Sequence, residues 1–108
     1  MHTPSNKIKI REFTLHYTPS DKKIEFKALS LKNYTIISTI IELNFFNVIL
    51  KAFASNRLER GIYPISPDLS AKRKTIDGKE TLVLQYQSDE FYMGKIDVME
   101  LQSIIERL

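Results

Sequence analysis

Apolar residues change their spacing several times along this chain, and each change marks an element. In "KIKIREFTLHY", Ile8 and Ile10 alternate with polar neighbours on one parity, while Phe13, Leu15 and Tyr17 alternate on the other. Alternation marks a strand with one buried face, and a single slip of parity at Arg11 and Glu12 is what an extra residue produces. The pattern therefore predicts one strand, bulged at that point. The turn formers of "TPSDKK" follow, and Ile24, Phe26 and Ala28 resume period two, which predicts a hairpin with its loop near residues 18 to 22.

From Asn33 the spacing lengthens. Asn33 is a good acceptor for the first free amides of a helix, and Ile37, Ile41, Phe45 and Val48 recur at intervals of four, four and three. These four are the expected core of a central helix. The β-branched run "TIISTII" argues for a strand, but about twenty apolar-rich residues exceed an ordinary strand of about five or six. A break is expected at "LNFFN", with Asn44 ending one helical piece and capping the next. Ile36, Ile40, Leu43 and Leu50 occupy further stripes, so this helix must be surrounded, either by the sheet or by a second copy of the protein in a homodimer.

Pro64 and Pro67 confine any strand in "IYPISPDL" to a short one at a sheet edge. "KRKTIDGKETLVLQYQ" reads as a hairpin turning at Asp77 and Gly78, a dipeptide that tolerates positive φ at both central positions. Leu82, Leu84 and Tyr86 form one parity of its second strand, and "SDE" turns the chain into "FYMGK". Asp97 and Glu100 then stand at capping-box spacing before the apolar stripe of Val98, Leu101, Ile104, Ile105 and Leu108, which predicts an amphipathic C-terminal helix. "EFKALSLKNYTIISTIIEL" and "EFYMGKIDVMELQSIIERL" echo each other through an "IIE" triplet, for which coincidence is the simpler account.

The whole therefore reads as a single α+β domain over residues 1–108, with residues 1–6 a loose tail. A curved, mostly antiparallel sheet packs on an apolar central helix and a C-terminal amphipathic helix. At 43% apolar and 27% charged the composition is globular, and the absence of Cys excludes disulfides. Lys7 and Lys9 interrupt any secretory apolar run, so a cytoplasmic protein is expected. Glu42 and Lys51 make the long apolar stretch a poor membrane span.

Chemistry finds little foothold. Thiols are absent and the only imidazoles are His2 and His16, with His16 on the polar parity of its strand, so neither a metal nor another cofactor is expected. With only Gly61, Gly78 and Gly94, the chain has no glycine-rich phosphate loop, and no nucleophile elbow occurs. A non-catalytic protein follows.

Binding is the remaining class. The net charge is +3, and its cations cluster in residues 6–32 and 70–88 while the C-terminal helix is acidic. Sheet readers of nucleic acid combine cations for phosphates with aromatics or planar amides for bases. The candidates here are Lys72, Arg73, Lys74 and Lys79 around one hairpin, Lys7, Lys9, Arg11 and Lys27 on the other, and Tyr92 with Gln85 for bases. These residues point to a small regulatory binder of RNA or single-stranded DNA. The alternative is an interaction module, an inhibitor or adaptor, whose basic face meets an acidic protein. At the level of fold alone, strands followed by a packing helix resemble small single-strand binders of the PUR and transcriptional positive-cofactor types. The bulged, strand-rich order is also similar to PUA-like RNA modules. Neither resemblance carries functional residues across.

Overall fold

The computed structural model describes residues 6–10, 13–18, 22–30, 32 and 34–107, and for residues 6–8, 10 and 18 the backbone alone. Along them one order of elements occurs twice, four antiparallel strands followed by a helix. The first sheet is β1 (Asn6–Ile10), β2 (Phe13–Thr18), β3 (Lys23–Ser30) and β4 (Thr35–Glu42), paired in chain order and leading into α1 (Leu43–Ala54). The second is β5 (Ile62–Pro64), β6 (Leu69–Ile76), β7 (Lys79–Tyr86) and β8 (Asp89–Gly94), leading into α2 (Lys95–Glu106). The fold is α+β as expected, with the strands divided between two sheets rather than gathered in one.

Two expectations fail in the first half. The predicted bulged strand is two antiparallel strands, for Ile10 pairs with Phe13 and Asn6 with Tyr17. A reversal across two residues shifts parity just as one inserted residue does, so the hydrophobic pattern fitted both; Arg11 and Glu12 themselves lie outside the described residues. The second failure is the central helix, which begins at Leu43. Residues 35 to 42 are β4, with Ile37, Thr39 and Ile41 buried and Ile36, Ser38 and Ile40 exposed between them. Here β-branched preference outweighed length, because the long apolar run is shared by two elements. Ile37 and Ile41 are core, as expected, but Phe45 and Val48 are 42% and 59% exposed.

The buried face of α1 is instead Phe46, Ile49, Leu50 and Phe53, at steps of three, one and three. Glu42, not Asn33 or Asn44, caps it: its carboxylate accepts from the backbone N–H groups of Asn44 at 3.3 Å and Phe45 at 2.7 Å. Asn33 is outside the described residues. At the other end Asn56 takes φ 61°, the N–H of Asn56 donates to Phe53 O, and that of Arg57 donates to Ala52 O. That pair of bonds is a Schellman stop.

The second half follows its pattern closely. Asp77 and Gly78 take φ 53° and 77°, the turn that joins β6 to β7. β5 is short and at the sheet edge. On α2, Val98, Leu101 and Ile105 are buried and Ile104 packs against them, while Leu108 lies outside the described residues. The Asp97 carboxylate accepts from the Gly94 backbone N–H at 3.3 Å, so the helix begins one turn earlier than Asp97 itself suggested. The "IIE" triplets end β4 and α2 respectively, so that echo is not a structural repeat. The repeat is in the element order, and Phe46, Ile49 and Phe53 occupy the same helical steps as Val98, Leu101 and Ile105.

One core joins the halves. Phe13 and Phe26 of the first sheet meet Phe91 of β8, with ring centroids 6.1 and 5.4 Å from it and 5.2 Å from each other. Polar links between the halves include Ser30 Oγ to Asp89 Oδ2 at 2.8 Å and Thr39 Oγ1 to Ser66 Oγ, in the β5–β6 loop, at 2.8 Å. The helices lie side by side, tied at the surface by Lys51 and Glu106 at 3.2 Å. Each sheet therefore turns one face to the shared core and leaves the other outside. Among the described residues, no helix is long and apolar enough to cross a membrane.

Candidate nucleic-acid interface

Strand pleating separates the basic run. In the register of β6 with β7, Lys72 stands opposite Val83, Arg73 opposite Leu82 and Lys74 opposite Thr81. Successive residues face opposite sides, so Lys72 and Lys74 lie on the outer face while Arg73 shares the inner side with Leu82. There Arg73 Nε lies 3.3 Å from Glu80 Oε2, an ion pair without the alignment of a hydrogen bond. Thr75 Oγ1 donates to the other Glu80 oxygen at 3.0 Å. Arg73 is thus an internal partner at the end of the core.

Lys72 is also engaged. Its Nζ lies 3.1 Å from both Gln85 Oε1 and Glu90 Oε2, and Tyr92 donates its hydroxyl to Glu90 Oε1 at 2.9 Å. The Lys72 ammonium, and after it the Tyr92 hydroxyl, hold the Glu90 carboxyl below its ordinary value against the opposing effect of burial, and the charge of Lys74 acts in the same direction as Lys72. Val83 lies between Lys72 and Tyr92 in the cross-strand row and is fully buried although it is on the outer face. The network is a polar cover over that valine, and it fixes the Tyr92 ring, which remains 43% exposed.

That ring borders two hollows. One is an open groove of about 1350 Å³ between the β6–β7 hairpin and the start of α2, lined by Lys74, Lys79, Tyr92 and Lys95 among others. The second, about 470 Å³, lies between the β3–β4 and β7–β8 turns, with Leu29, Lys32 and Tyr92 in its wall. Lys74 and Lys79 are exposed and, among the described residues, form no ion pair. Lys95 reaches Asn56 Oδ1, and Lys32 donates to Ser88 O at 2.6 Å. Acids are present too: Glu80 is held by Arg73, Asp97 caps its own helix, and Asp77 sits in the turn. A flat aromatic face with unpaired cations on one side can stack a base and meet the phosphates beside it.

The remaining candidates lie on the first sheet. Lys9, Thr14 and Lys27 fall in one cross-strand row on its outer face, and Lys7 pairs with His16 in the next row. Lys27 lies 3.7 Å from Glu25, and Lys9 is exposed. Arg11 is outside the described residues. Thus Lys72, Lys74, Lys79, Gln85 and Tyr92 come together on one surface, Lys9 and Lys27 belong to another, and Arg73 belongs to neither. Sequence reasoning missed Lys32, Lys95 and the organising Glu90. Lys32 reaches the site from the distant β3–β4 turn and Lys95 from the first position of α2, and nothing local distinguishes them; the parity that places Glu90 with Gln85 and Tyr92 was legible.

Among the described residues no group of three His, Asp or Glu side chains is placed to hold a metal. Comparison with protein-family models, with curated proteins and with solved structures finds no match, so function has to be read from this geometry.

Proposed function

We propose that this protein is a non-catalytic binder of single-stranded nucleic acid, and that the outer face of the second sheet is its binding surface. One observation carries the reading: the Tyr92 ring, anchored by Glu90, stands between two hollows, and the larger one is lined by Lys74 and Lys79, which among the described residues form no ion pair. In this reading a base stacks on Tyr92, neighbouring phosphates meet Lys74 and Lys79, and the strand runs on toward Lys32 and Leu29. Lys72 acts by holding Glu90, and through it the tyrosine, and not by touching phosphate. The sheet-then-helix order, present twice, also agrees with the resemblance to small single-strand binders. Stacking on a single aromatic discriminates little between bases, which suits a reader of strandedness more than of sequence.

The test is fluorescence anisotropy with labelled, mixed-sequence single strands of RNA and of DNA, titrated at low and then rising salt. Binding that weakens with salt, is reduced by Tyr92→Ala and survives in Tyr92→Phe is the expected result. No binding of either strand at low salt would overturn the reading and favour an acidic protein as the partner of the same face.

A further inference from the structure

Four strands end the two sheets, and three of them are poor templates for further pairing. β1 carries Lys7 and Lys9, β5 has three residues and ends in Pro64, and β8 opens with Asp89 and Glu90 and runs directly into α2. Charges, prolines and short length are the usual means of closing an edge. β4 has none of them. It spans eight residues, "TIISTIIE", and its one charge, Glu42, is occupied in capping α1.

The ladder identifies which backbone groups are free. Leu43 donates its N–H to Lys22 O at 3.3 Å, continuing the register in which Glu42 faces Lys23. In an antiparallel ladder, residues bonded to the neighbour alternate with residues whose N–H and C=O point away. Ile41, Thr39 and Ile37 therefore bond β3, and Ile40, Ser38 and Ile36 present theirs to the open side. Their side chains are exposed on the outer face as well, Ile36 at 74% and Ile40 at 51%. The hydroxyl of Ser38 turns back toward its own sheet and donates to Glu25 at 3.0 Å.

We infer that β4 is the docking edge for a second copy of this chain, joined antiparallel about a two-fold axis at Ser38 so that the two first sheets become one. The sequence of the edge is what selects this occupant. Read outward from Ser38, the exposed positions are isoleucine in both directions, so the two-fold places Ile36 opposite the copy's Ile40 and Ser38 opposite itself. All three rungs use the free backbone groups, apolar side chains meet apolar side chains, and no like charges face each other across the new ladder. For molecules of net charge +3, it also differs from the β1 edge in that approach brings no lysine opposite a lysine. This edge belongs to the first sheet and shares no residue with the groove on the second.

Sedimentation of the intact protein from micromolar to about millimolar concentration tests it. The wild type is expected to dimerise, and Ser38→Pro to weaken the dimer at least tenfold with unchanged circular dichroism, since proline at that position removes only an outward N–H. Should that variant fail to fold, Ile36→Lys with Ile40→Lys replaces it, putting like charges opposite each other. The chain has no cysteine, so Ser38→Cys gives an unambiguous cross-link: paired Cα atoms in such a rung lie about 5.5 Å apart, within disulfide reach. Rapid oxidation to a linked dimer is expected for Ser38→Cys and not for Ile62→Cys on the second sheet. A wild type that stays monomeric up to about 0.5 mM, or a dimer indifferent to Ser38→Pro that cross-links equally through position 62, overturns the inference.

Discussion

The outer faces of the two sheets both carry lysines and use them differently. On the first sheet, Lys9 and Lys27 stand among Thr14, Ser38 and the exposed Ile36 and Ile40, and among the described residues of that face there is no aromatic ring beside a groove. On the second sheet, Lys72 is engaged by Glu90, which fixes Tyr92 beside a groove where Lys74 and Lys79, among the described residues, form no ion pair. Counting cations would rank the faces as equals. What separates them is an acid: Glu90 neutralises one positive charge at the surface and sets an aromatic ring in place. A basic composition thus says less about a binding surface than does the way its charges are already paired.

The largest effect expected concerns whether the outer face of the first sheet is truly outer. Ile41→Ala should destabilise by about 2 to 5 kcal/mol through reduced burial and a cavity, while Ile40→Ala, one residue away and exposed, should change stability by no more than about 0.5 kcal/mol in dilute solution. Denaturant melts measure both, and equal losses would return this segment to a helix. On the second face, Tyr92→Ala should reduce single-strand affinity by about 1 to 3 kcal/mol, read by anisotropy, with Tyr92→Phe retaining most of it. A loss in both variants alike would assign the effect to the hydroxyl network and not to stacking.

Glu90 sharpens the contrast further. Its carboxyl is held below its ordinary value of 4.5 in the folded protein. The stability it contributes is therefore present above the unfolded value and is lost as pH falls through the lower folded value. Thermal melts from neutrality down to about pH 3 should show that acid limb in the wild type and a flatter one in Glu90→Gln. Because the same substitution releases Lys72, it should steepen the salt dependence of binding by about 0.7, one extra cation's worth. An unchanged slope would mean that Lys72 stays out of reach of phosphate whether paired or not.

The second half of the molecule was far more legible than the first. Asp77 and Gly78 announce their turn because positive φ is costly for most residues, and the α2 stripe repeats cleanly because one face alone is buried. In the first half, Arg11 and Glu12 carry no turn chemistry, so a reversal looked like a bulge. The adjoining run from Thr35 to Ala54 merges a strand and a helix into one apolar stretch, and only Glu42, acting as a cap, marks the border. Pleating was legible enough to set Lys72 and Lys74 apart from Arg73. The pairing of Lys72 with Glu90 depends on the register of three strands, which no local pattern encodes. The approach of Lys32 to Tyr92 depends on how the two halves close on each other, whereas Lys95 follows Tyr92 by three residues at the start of α2.

The most direct test replaces Lys74 and Lys79 together by alanine and measures single-strand affinity across a range of salt, beside a Lys9 and Lys27 double alanine variant from the other face. A phosphate left without its lysine keeps its counterions, so the log–log slope should become shallower by about 1.4 for the first pair and stay near the wild-type value for the second. Folding should be untouched in both, since exposed charges contribute little to stability. A slope that is unchanged by removing Lys74 and Lys79, or that falls instead with Lys9 and Lys27, would contradict the assignment of binding to the second sheet.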